Sequence, residues 1–94
     1  MPTYLIERHI PGAGKLSSQE LRAISQQSVG VLRDLGADIK WLHSYIVEDR
    51  IYCVYESIGV SLIEEHARCM GIPATAIMEV GTIISPATAE EPAA

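Results

Sequence analysis

The stretch from Ile39 to Glu56, IKWLHSYIVEDRIYCVYE, leaves this chain the fewest options. β-Branched and aromatic residues fill both halves, with the charged Glu48-Asp49-Arg50 between them. That pattern predicts a β-hairpin with strands over about 38–47 and 51–56. The hairpin also gathers Trp41, His43, Tyr45, Tyr52, Cys53 and Tyr55, in a chain with one Trp, four Tyr and three His. Side chains able to bind a metal or hydrogen-bond a ligand are thus concentrated on it.

The flanking segments decide what the hairpin joins. Thr3 to Ile10 alternates as a strand, with Tyr4, Ile6, Arg8 and Ile10 on one face and Leu5, Glu7 and His9 on the other. Pro11-Gly12-Ala13-Gly14 breaks it. Ser17 and Glu20 stand in capping-box relation, and Leu21, Ile24, Ser28, Val31, Leu32 and Leu35 form the buried stripe of a helix that Gly36 ends. A second helix is predicted near Val60 to Met70, with Gly71 and Pro73 behind it, then a last strand over Ile77 to Ile84. The order β-α-β-β-α-β predicts an α+β, ferredoxin-like domain over residues 1–84. Two helices cover one face of a four-stranded antiparallel sheet, and right-handed crossovers place strands one and three in its centre. Residues 85–94, with no large apolar group, read as a disordered tail.

Such a sheet has an uncovered face. With Trp41 and several tyrosines expected there, a second copy packed face to face, as a dimeric α+β barrel, would cover them.

A net charge of −5 leaves no basic face to neutralise phosphates, which argues against nucleic acid as a partner. No apolar run approaches a membrane span, and the first residues do not resemble a signal peptide. A cytoplasmic location with Cys53 and Cys69 reduced is the expectation.

The candidate sites follow from side-chain direction. PGAGKLS fails as a phosphate loop, because His9 stands where the pattern needs Gly and Leu16 where it needs Ser or Thr. Glu7 and His9 share the face away from Tyr4 and Ile6, and Trp41, His43 and Tyr45 likewise share one. If Tyr4, Ile6, Leu42 and Ile46 meet the helices, then Glu7, His9, His43 and Tyr45 stand together on the uncovered face. A carboxylate and two imidazoles suit a borderline divalent ion. The other reading is hydrogen bonding across a polar cavity or dimer seam. Cys53 hangs on the turn: three residues at 48–50 send it to the uncovered face as a candidate thiolate ligand, and two send it into the core. His66 reads as a hydrogen-bonded packing histidine or, with Cys69, as part of an incomplete ligand set. No catalytic triad order stands out, and a lone Glu7 or Glu56 near a His is a weak basis for acid–base chemistry.

MPTYLIERHIPGA at the start, then IKWLHSYIVEDRIYCVYE and IEEHARCMGIPATAIMEV, resemble in order a family of small bacterial proteins known as a domain of unknown function. That family includes a nickel-binding protein built as a dimeric ferredoxin-like α+β barrel. The resemblance covers nearly all of residues 1–82. It implies a cytoplasmic homodimer with affinity for nickel or another divalent transition metal. The matching positions able to ligate are Glu7, His9, His43, Cys53 and His66. Two other classes stay open: a cofactorless barrel enzyme of monooxygenase or isomerase type acting on a small organic molecule, and a non-catalytic interaction module.

Overall fold

Residues 1–92 are described by a computed structural model. In the first strand, β1 (Thr3–His9), alternation buries Tyr4, Ile6 and Arg8 and turns Leu5, Glu7 and His9 to the opposite face. The first long helix, α1 (Ser18–Leu35), begins at the expected capping box. The Ser17 hydroxyl accepts from the Glu20 amide at 3.1 Å, and the Glu20 carboxylate accepts from the Ser17 amide at 3.0 Å. Two amides that the helix itself leaves without partners are thereby satisfied. Strands β2 (Ile39–Val47) and β3 (Arg50–Ser57), helix α2 (Val60–Met70) and strand β4 (Ala76–Glu79) follow. Gly71, at φ 68°, ends α2 in the left-handed region where a Cβ is unfavourable.

The sheet order is β2-β3-β1-β4 with every pair antiparallel, so β1 and β3 are central, as a ferredoxin-like fold requires. The core lies between this sheet and the two helices. Tyr4, Ile6, Ile39, Cys53, Tyr55 and Ile63 form it, with Leu32, Leu35 and Leu62 packed around them. Complete burial of Ile6 and of Ile63 stabilises the fold by about 2–3 kcal/mol each.

Three features differ from expectation. The last strand is shorter, ending at Glu79 rather than near 84. Its partner β1 starts at Thr3, whose carbonyl takes the Val80 amide at 2.8 Å, so no strand remains for later residues to pair with. The tail expected at 85–94 carries a short 3-10 helix at Pro86–Glu90, and its last two positions lie outside the described residues. The third difference is in the hairpin, where it bears on the site.

Val47 pairs with Arg50, so the turn has two residues, Glu48 and Asp49. Glu48 has φ 54°, the left-handed conformation that two-residue hairpin turns need at their first position. The β1–α1 connection holds this turn in place. The Gly14 amide donates to the Glu48 carbonyl, the Ile10 amide to the Asp49 carbonyl and the Gly12 amide to the Asp49 carboxylate. A Cβ on Gly14 would stand 2.9 Å from the Glu48 carbonyl oxygen, so only glycine fits this approach. The glycine-rich stretch that superficially matches a phosphate loop therefore serves as a dock for the hairpin.

Candidate functional site

The two sheet faces carry separate sets of polar side chains. On the open face, cross-strand pairing sets Tyr45, Tyr52, Glu7 and Ala76 in one row, and His43, Val54, Leu5 and Met78 in the next. The Tyr52 hydroxyl donates to the Glu7 carboxylate at 3.3 Å, and Arg50 makes an ion pair with the same oxygen at 3.4 Å. Both partners of that ion pair are partly solvated, so it adds little stability. His43 stacks edge-on against Tyr45, with ring centroids 5.1 Å apart.

His9 sits in the row of Arg50 and Val47, two strands across and four residues along from His43. Strand spacing and rise separate their Cα atoms by roughly 15 Å or more, so one chain cannot bring both imidazoles to one ion. Among the described residues no three His, Cys, Asp or Glu side chains converge as a metal site. The donors of a single chain do not fit a complete coordination sphere.

The helix-covered face holds the rest. The two-residue turn sends Cys53 there, where it is 5% exposed in the core and away from Glu7, His9 and His43. A β-bulge after Trp41 changes the expected direction of β2. Trp41 pairs with Tyr55 and His43 with Val54, leaving Leu42 without a cross-strand partner. The extra residue shifts the alternation by one position. Trp41 and Ser44 consequently face the helices, and the Trp41 indole N–H donates to the Ser44 hydroxyl at 2.9 Å. Trp41 thus does not share the face of His43 and Tyr45, and Leu42 is exposed rather than packed under a helix.

His66 is buried between α2 and α1, its Nε2 3.0 Å from the Ser28 hydroxyl. Burial, with a further contribution from the Arg8 charge, lowers its pKa to about 4, so the ring is neutral at physiological pH. Cys69, three residues on, is exposed and lies beside Glu65 instead. Burial also pushes the Tyr55 phenol up to about 12, with the Cys53 thiol as the next cause, so this hydroxyl stays protonated.

Arg8 is the residue that the candidate set lacks. It is 1% exposed, in a core of apolar side chains. Its signal in the sequence is a cation on the same alternating face as Tyr4 and Ile6, where strand periodicity predicts burial. Arg8, Ser28, Trp41, Cys53, Tyr55 and His66 all border one cavity of about 200 Å³ under α1.

Comparison with known proteins agrees with this architecture. A solved structure described as the crystal structure analysis of SCO4226 from Streptomyces coelicolor A3(2) superimposes with a TM-score of 0.72 at 19% identity. The match covers 87% of this chain and 99% of that one, and at such identity it speaks for the fold alone. No curated protein matches. The profile of the family described as nickel responsive protein SCO4226-like matches residues 4–80. That span takes in both helices and, but for Thr3, all four strands, and the chain belongs to the SCO4226-like family.

Proposed function

We propose that this protein is a cytoplasmic homodimer that binds a divalent transition metal, nickel first of all, at the seam between two open sheet faces. The observation that carries this reading is the composition of that face. Tyr45, Val47 and Met78 are 57%, 52% and 44% exposed, in the same surface as Glu7, His9 and His43, with no helix over them. An apolar surface flanked by metal-binding groups is better suited to a partner than to water.

A second copy also answers the incomplete donor set. Away from its axis, two-fold packing sets a position opposite a different position of the partner, so donors too distant within one chain can meet across the seam. Imidazole and carboxylate suit a borderline divalent ion, and the family description adds nickel. Cys53 and Cys69, both free thiols, fit a reducing compartment. Cys53 and His66 take no part in this version, because both lie under the helices.

Calorimetric titration of tag-free protein with nickel, alongside sedimentation analysis, tests the proposal. Micromolar binding by a dimer, lost in a folded His9→Ala, His43→Ala double variant, is the expected result. Absence of such binding, or binding unchanged in the double variant, would sink it. The enzyme alternative places its substrate in a barrel cavity between two open sheet faces, whereas the cavity described above lies under the helices.

A further inference from the structure

Among the described residues, the Arg8 guanidinium has no counter-ion. Its Nη1 donates to the Pro73 carbonyl at 2.8 Å, its Nε lies 3.5 Å from the Cys53 sulfur, and its Nη2 is buried without a partner. Among the described residues, the ion pairs are Arg50–Glu7 and Arg68–Glu65, so no carboxylate answers Arg8. Arginine cannot shed its charge to ease burial, and an unpaired buried charge is strongly unfavourable. His66 repeats the pattern beside it, with a buried Nδ1 that has no partner. Arg8 and His66, which carry these two unsatisfied nitrogens, both line one cavity, whose remaining wall is mostly apolar.

We propose that this cavity binds a small organic monocarboxylate, whose carboxylate accepts from Arg8 Nη2 and whose apolar body lies against Trp41, Ile46 and Ile51. When the Ser28 hydroxyl donates to His66 Nε2, the proton sits on Nδ1, which becomes a second donor for the same anion. Arg8 and His66 have one unpartnered nitrogen each, too few for a phosphate dianion. Its apolar side chains favour an aromatic or branched aliphatic body. Ile24 and Ile46, at 39% and 38% exposure, border both cavity and solvent and mark its mouth between α1 and β2. The site is independent of the metal reading, being on the other face of the sheet.

Trp41 is the chain's one tryptophan and lines the cavity, so intrinsic fluorescence reports occupancy. The full chain is titrated with phenylacetate, benzoate and isovalerate, and with phenylacetamide as the neutral counterpart. We expect a saturable change with at least one acid at millimolar concentration or below. The amide should bind about tenfold or more weakly, the loss that accompanies a missing charge-assisted hydrogen bond. Arg8→Met should abolish the acid response, and Ser25→Leu, which fills the cavity from α1, should abolish it too. Equal binding of phenylacetate and phenylacetamide, or no saturation with any acid, overturns the proposal. So does a saturable response to chloride that the acids fail to displace. If Arg8→Met does not fold, the acid–amide comparison on the unaltered protein decides the matter.

Discussion

Arg8 and Cys53 meet inside the protein, the guanidinium Nε 3.5 Å from the thiol sulfur and both side chains buried. The register brings them together. β1 pairs with β3 so that Ile6 faces Cys53 and Arg8 faces Ile51, which turns all four toward the helices. A permanent cation thereby enters a core in which, among the described residues, no carboxylate meets it.

Arg8→Met should leave the ligand-free protein at unchanged or greater stability, within about 1 kcal/mol of the original or above it. Removing the unpaired charge offsets the loss of the hydrogen bond to the Pro73 carbonyl. Urea unfolding midpoints measure this. A loss above about 3 kcal/mol would show that the guanidinium is structurally well satisfied.

Stability should fall in mild acid because of His66. Its folded pKa, about 4, lies below the ordinary 6.5, so below pH 6.5 the unfolded chain takes up a proton that the folded one refuses. The contribution is intact above pH 6.5 and is lost progressively down to about pH 4, on the order of 3 kcal/mol in all. Unfolding free energies across that range should decline more steeply in the original protein than in His66→Gln.

Glu48→Gly should stabilise the hairpin by up to about 1 kcal/mol. Glu48 holds φ 54°, which glycine adopts without steric cost, although the more flexible unfolded chain takes back part of the gain. Gly14→Ala should do the reverse, since its methyl meets the backbone of Glu48. Thermal melts of the two variants, moving in opposite directions, check the docking of the turn.

Ser17→Ala should cost about 1 kcal/mol, because it removes the acceptor for the Glu20 amide at the start of α1. Denaturant titration would show it. Helix content near room temperature should hardly change.

A Tyr45→Lys, Met78→Lys double variant should remain folded and sediment as a monomer. Both side chains are about half-exposed on the open face, so the substitutions disturb little within one chain. Like charges brought together at the proposed seam would repel. Dimerisation that survives the pair places the seam elsewhere.

Element order was legible because it rests on local signals: the Ser17–Glu20 box, alternation in Thr3–His9, the two apolar helical stripes and the closing glycines. The open-face positions of Glu7, His9 and His43 also followed from strand periodicity. Trp41 did not, because one extra residue at Leu42 reverses the direction of what precedes it, and a bulge leaves no mark in composition. Cys53 hung on whether the turn used two residues or three, a choice that the Gly14–Glu48 contact settles from another part of the chain.

By itself, then, the sequence determined the α+β class, the ferredoxin-like order and which strand residues share a face, since all three depend on spacing along the chain. Tertiary structure alone decided that Cys53 and His66 lie under the helices beside Arg8, and that His9 and His43 of one chain stay apart. Those outcomes depend on register and on contacts between segments distant in sequence, where a shift of one residue exchanges the two faces of a strand.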